Sequence, residues 1–216
     1  MPGRRVDNVR AVPSTQPYPV YAATKNVGKL RELQEIFAPF AWELVPFADY
    51  ADVDESAETY DGNAALKART LRAQLLASGI VAPVLGDDSG LEVAALGGRP
   101  GVYSARYGGT EIAWPARRTL LVSEIAASGS SDRRARFVCA LHFIAADGAE
   151  SVVERDVRGL IGVIERGSGG FGYDPLFEYP PLGRTFGELT DAEKHAVSHR
   201  GAAARALGAL TTGLPN

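Results

Sequence analysis

Residues 134–165 read RARFVCALHFIAADGAESVVERDVRGLIGVIE. Arg134 to Ala146 and Glu150 to Glu165 are both rich in strand-forming residues, and the Asp147-Gly148 between them is a strong hairpin signal. Outward from this hairpin the pattern changes. Upstream, Tyr18 to Ala23 reads as a short buried strand, Asn26 as a helix cap and Val27 to Ala38 as a helix. Val27, Leu30, Leu33 and Phe37 give that helix an apolar stripe, with Lys29, Arg31, Glu32 and Glu35 off it. Trp42 to Phe47 reads as a second strand, and a long helix runs from Thr59 to Ser78. A further strand ends near Leu85, enters an acidic turn and resumes over Leu91 to Ala94. Ile112 to Ser128 reads as another helix. Downstream, Thr190-Asp191-Ala192-Glu193 matches a capping box that opens a last helix. Helices mixed with hairpins predict a mixed α/β fold with two lobes around a cleft.

Composition narrows the class of protein. The 216 residues suit one domain, read here as residues 18–216, and residues 1–17 read as a disordered or loosely attached, proline-punctuated extension. Lys plus Arg is 23 against 26 for Asp plus Glu, so there is no cation excess to displace the counterions of a nucleic acid. No apolar stretch is long enough to span a bilayer. Cys139, the only cysteine, sits in an apolar run and reads as a core residue. A chain without an intrachain disulfide fits the cytoplasm.

Several segments carry residues suited to chemistry. Gly86-Asp87-Asp88-Ser89-Gly90 puts adjacent carboxylates between glycines. Like charges resist joint ionisation unless a cation is near. Magnesium takes oxygen ligands and often uses one or two carboxylates plus substrate phosphates. Alone, the segment reads as a solvated Asp-rich turn. Thr24-Lys25-Asn26-Val27-Gly28-Lys29 joins a strand to a helix start, where backbone N–H groups and lysines favour an anion. An ordinary capped helix accounts for it equally well. The glycines of residues 167–172 let backbone approach a ligand, and Phe171 and Tyr173 can stack on a base. Lys194, His195, His199 and Arg200 share the last helix, with His195 and His199 four residues apart on one face. No zinc motif accompanies them, so the lysine and arginine point instead to an anion or base edge. An acidic loop with Asp52, Asp54, Glu55 and Glu58 precedes Asn63 and Lys67; it can complete a magnesium site, and Lys67 can reach a phosphate.

Taken together, these segments resemble the inosine triphosphate pyrophosphatase (Ham1-like or RdgB-like) family from Val20 to Leu210. The resemblance is carried in order by Ala23 to Lys29, Asn63 to Ala68, Gly86 to Leu91, Pro100 to Tyr107, Gly169 to Pro175, and Glu188 to Gly201. It implies an elongated mixed sheet flanked by helices, two lobes around a substrate cleft, and a homodimer. It implies that Thr24, Lys25, Asn26, Val27, Gly28 and Lys29 cradle a triphosphate that Lys67 helps neutralise. Asp88 would be the general base and a Mg2+ ligand, Glu55 the second metal carboxylate, and Ser89 a substrate contact. Phe171, Gly172, Tyr173, Asp174, Lys194, His199 and Arg200 would surround nucleoside and phosphate. The implied reaction converts ITP, dITP or XTP to the monophosphate and pyrophosphate. Two other readings stay open: a Maf-like pyrophosphatase, which would lack Ser198-His199-Arg200, and a nucleotide-binding module without hydrolysis. Lys25 and Gly62 depart from the family's usual residues, as does Asp54-Glu55-Ser56, which leaves Asp54 as the alternative to Glu55.

Overall fold

A computed structural model describes residues 17–51 and 53–211; the extension before Pro17, and Asp52, lie outside the described residues. The chain forms β1 (Tyr18–Ala23), α1 (Val27–Phe37), β2 (Trp42–Pro46), α2 (Tyr60–Ala77), β3 (Val84–Val93) and β4 (Pro100–Gly101). Next come α3 (Trp114–Ala127), β5 (Arg134–Ile144), β6 (Glu150–Ile161), β7 (Phe177–Tyr179), β8 (Arg184–Thr185), α4 (Asp191–Val197) and α5 (His199–Thr211). The strands join one mixed sheet in the order β2-β1-β3-β5-β6-β7-β8, with β4 paired to β3. The hairpin of residues 134–161 is as the sequence predicts, with Arg134 opposite Leu160 and Ile144 opposite Glu150. No helix among the described residues is long and apolar enough to cross a membrane.

Helices cover both faces of the β1 end of the sheet. Leu33, Ile36 and Phe37 of α1 and Ala203, Ala204 and Leu207 of α5 pack on Leu85, Leu141 and Phe143. Ala68, Leu71 and Leu75 of α2 pack with Val84 and Ile144 from the other side. A separate apolar cluster at the far end of the long strands joins Leu91, Val93, Phe137 and Val157 to Leu121 and Ile125 of α3 and to Phe177 and Phe186. β3, β5 and β6 thus contribute to both clusters.

Three expectations need correction. The acidic segment is not a turn. β3 runs unbroken through Asp87 and Asp88, pairing residue by residue with β5 from Val84↔Ile144 to Val93↔Ala135. The flanking glycines read as turn formers because their other use, close packing, leaves no trace in a single sequence. A Cβ on Gly86 would lie 2.1 Å from the Ala64 carbonyl oxygen of α2. Gly86→Ala is therefore expected to cost about 1–3 kcal/mol through overpacking; equal urea midpoints for variant and wild type would contradict this contact.

Secondly, Val27 is 80% exposed and contributes nothing to the α1 stripe, whereas Glu32 is 3% exposed. Glu32 lies four residues after Gly28 and four before Ile36, on the inward face. Thirdly, the last helix is broken. Ser198 ends α4 with extended dihedrals (φ −75°, ψ 159°), and its Oγ accepts the Gly201 N–H at 3.1 Å to start α5. His195 and His199 therefore do not share a helical face.

Candidate active site

The site is a gap in the sheet. One edge of β3 is paired with β5 along its whole length. The other edge meets β1 only as far as Ala23↔Gly86 and meets β4 only from Leu91↔Gly101. Asp87 to Gly90 are left with a free edge, and the β1–α1 connection arrives beside it. Crevices at the carboxyl ends of strands, where neighbours diverge, are where open α/β sheets bind ligands.

Alternation along the strand separates the two carboxylates. Asp87 faces α1 and α5. Its Oδ1 is 2.6 Å from Lys29 Nζ, and its Oδ2 accepts from Arg200 Nε at 3.1 Å. Arg200 also pairs with Glu32 through Nη1 and donates to Ser89 Oγ through Nη2 at 2.9 Å. Lys194 pairs with Glu32 and, at 2.6 Å, with Asp174 Oδ2. The result is a buried network of Lys29, Asp87, Arg200, Glu32, Lys194 and Asp174. Burial alone would raise the carboxyls of Glu32 and Asp87, but the nearby cations outweigh it and hold both below the usual carboxylate range. Arg200 is pushed up by the same partners against its own burial.

Asp88 faces α2. Lys67 Nζ donates to its Oδ1 at 2.9 Å and to the Asp87 carbonyl at 3.3 Å, and Asn63 Nδ2 donates to its Oδ2 at 3.4 Å. Lys67 pairs with Glu55 as well, and Arg106 holds Glu55 from the far side at 3.1 Å. Burial raises the Asp88 carboxyl, with Lys29 and Lys67 offsetting part of the effect. Glu55 goes the other way: burial is outweighed chiefly by Lys67. Asp88 is thus more basic than its neighbour Asp87, which is locked as an ion between two cations.

Ten of the residues singled out in the sequence line one cavity of about 50 Å³: Asn26, Lys29, Ser89, Phe171, Gly172, Tyr173, Asp174, Lys194, His199 and Arg200. Asp88, Lys67 and Glu55 lie outside its lining, on the α2 side of β3. Gly28 backs the Phe171 ring. Thr24 accepts the Asn26 N–H, and Lys25 and Val27 are exposed. Phe171 lies over Lys194 and Arg200, with its ring centre 4.9 and 5.6 Å from their charged atoms. Tyr173 is buried and donates its hydroxyl to the Ser104 carbonyl at 3.0 Å. His199 stacks on Phe137 at 4.8 Å, and its Nδ1 is buried with no hydrogen-bond partner among the described residues. Burial, with Arg200 and Lys194 adding to it, keeps this imidazole neutral.

Asp87, read from the sequence only as one of a carboxylate pair suited to a cation, instead holds Lys29 and Arg200. Glu32, Ser104, Arg106 and Trp114, to which the sequence reading assigned no role, complete the site. Only Glu32 left a usable signal, as the charged residue on the inward face of α1.

A divalent cation fits these residues. Asp88 and Glu55 converge on one ammonium, so their oxygens also lie within reach of one cation, and hard carboxylate oxygens suit magnesium. Among the described residues no three His, Cys, Asp or Glu side chains form a cage.

Fold and site together define a mixed α/β protein with buried cationic and acidic side chains gathered beside the open edge of β3. The Ham1 family profile matches residues 20–210. A dITP/XTP pyrophosphatase of Thermus thermophilus is 47% identical over 190 residues, 87% of this chain and 89% of that protein. The dITP/XTP pyrophosphatase of an Exiguobacterium species is 45% identical over 87% of this chain and 93% of its own length. The solved HAM1 protein of Coxiella burnetii superposes with a TM-score of 0.80 at 35% identity, covering 90% of this chain and 98% of that one. The Ham1 protein of Staphylococcus aureus gives 0.76 at 34%, covering 91% and 100%. The chain belongs to the Ham1 family.

Proposed function

We propose that the protein hydrolyses non-standard purine nucleoside triphosphates, ITP, dITP and XTP, to the monophosphate and pyrophosphate. The observation that carries this reading is the pair of cationic groups on opposite faces of β3, each tied to one of two adjacent carboxylates. Lys29 on one side and Lys67 on the other can both turn to phosphate oxygens at the free edge between them. The names of the relatives supply the substrate class.

In this reading Asp88 takes a proton from the attacking water while Lys67 keeps its carboxylate turned to the edge. Lys29 and Lys67 offset charge on the departing pyrophosphate. Asp87 acts on no bond; it aims Lys29 and Arg200. Magnesium, held by Asp88 and Glu55, would supply Lewis-acid stabilisation of phosphoryl charge. Phe171 offers a face for the base, and the neutral His199 and the Arg200 edge offer polar atoms to a 6-keto purine. A homodimer and a cytoplasmic location belong to the same reading and rest on the family resemblance.

The test is product identity. With ITP and magnesium, chromatography is expected to show IMP and pyrophosphate, and excess chelator is expected to stop the reaction until magnesium is restored. IDP and phosphate, or no product from ITP or XTP, would overturn the reading.

A further inference from the structure

The cavity volume of about 50 Å³ is far below the roughly 300–1,000 Å³ of pockets that hold small molecules. The cavity is therefore narrow for a nucleotide base, and the side chains of its wall decide what fits. The wall next to Phe171 and Gly172 includes a side chain from a distant part of the chain, Trp114, the first residue of α3.

Its indole is seated with care. Gly172 presents a bare backbone to the six-membered ring: a Cβ there would lie 3.5–3.8 Å from three of its carbons. Tyr173 meets the indole edge to face, with centroids 5.3 Å apart and planes at 82°. The Arg117 guanidinium lies 5.0 Å from the indole centre and is itself pinned by bonds of 3.0 Å to the Gly109 and Ile112 carbonyls. Arg118 donates to the Gly172 carbonyl at 2.9 Å, so the start of α3 is tied directly to the glycine loop. An aromatic ring held in place by a cation and a backbone tie, at the edge of a cavity lined by Phe171 and Tyr173, is a surface for a flat heterocycle rather than for phosphate.

We propose that Trp114 contacts the purine of the bound nucleotide and is a specificity-determining wall of the base subsite. This rests on the nucleotide reading given above. Arg118 ties the start of α3 to the Phe171–Gly172 segment, so Trp114 and that loop form one continuous wall.

The chain has two tryptophans, which makes the test direct. Trp42 is stacked between Phe37 and Phe143 in the α1 core, with centroids 4.8 and 4.9 Å away. Titrating the wild type with IMP is expected to change tryptophan fluorescence, whereas pyrophosphate alone leaves it unchanged. Trp114→Phe keeps a ring and the fold, retains Trp42, and is expected to lose the IMP signal. Trp114→Ala is expected to raise KM for ITP about tenfold with kcat held within about twofold. Unchanged fluorescence at calorimetrically saturating IMP, the same signal from pyrophosphate alone, or an unchanged KM in Trp114→Ala with normal wild-type turnover would each remove Trp114 from the base subsite. If Trp114→Ala fails to fold, the Trp114→Phe titration decides. Wild-type protein that makes no IMP from ITP would instead sink the nucleotide reading itself.

Discussion

Asp88→Asn is expected to lower ITP turnover about 10²–10⁴-fold, the range that general-base assistance supplies, while thermal melting stays near that of the wild type. The amide keeps the shape of the carboxyl, and its one oxygen can still accept from Lys67, which reaches Asp88 Oδ1 at 2.9 Å; only the long 3.4 Å contact from Asn63 to Oδ2 is given up. It cannot take a proton. Glu55 remains paired with Lys67, so the ammonium is not left alone. A steady-state assay of pyrophosphate release with a parallel melt separates chemistry from folding. Wild-type turnover in this variant would place the proton acceptor elsewhere. Asp87→Asn loosens Lys29 and Arg200 but leaves the acceptor, so it is expected to be the milder lesion in turnover.

Arg200→Met is expected to be the most damaging change to stability. Arg200 is 1% exposed and is the shared partner of Glu32 and Asp87. Removing one member of a buried ion cluster typically costs about 3–5 kcal/mol, because the opposite charges stay buried without it. Its sign with pH is fixed by the direction of the shifts. In the wild type, Glu32 and Asp87 have folded-state values below their unfolded ones, so their contribution is complete at neutral pH and is lost as pH falls through the lowered values. In Arg200→Met both carboxyls lose their strongest cation, burial dominates, and their folded-state values rise. Protonation then relieves the variant. The stability gap between the two proteins is expected to narrow as pH drops from about 7 to about 4. Denaturant unfolding at several pH values measures it, and a gap that is constant or widens on acidification would show that Arg200 does not neutralise these groups.

The order of strands and helices was legible because periodicity reports local structure. The Arg134–Ile161 hairpin, the Asn26 cap of α1 and the Thr190 capping box each follow from a few neighbouring residues. The unreadable features depend on what lies across the fold. Gly86 and Gly90 look alike as turn glycines and as packing glycines. Only the approach of the Ala64 carbonyl, and of the Gly101 carbonyl 2.3 Å from a Cβ on Gly90, distinguishes the two. The site residues separated along the same line. Those on the Phe171–Asp174 and Lys194–Arg200 segments converge on one cavity. Lys25 and Val27, chosen for sitting at a helix start, point outward because the first turn of α1 exposes them. Glu32 was passed over as surface charge, since a carboxylate on an inward face makes sense only once Lys194 and Arg200 arrive from the far end of the chain.

The alternation of Asp87 and Asp88 across β3 makes the spacing of the preceding residues an arithmetic constraint. Lengthening the chain by one residue between Leu85 and Asp87 would turn each carboxylate to the opposite side, putting Asp87 in the place of Asp88 and Asp88 in that of Ser89. Even-numbered and odd-numbered insertions there are therefore not equivalent lesions: parity of chain length, as much as residue identity, is under constraint at this point of the molecule.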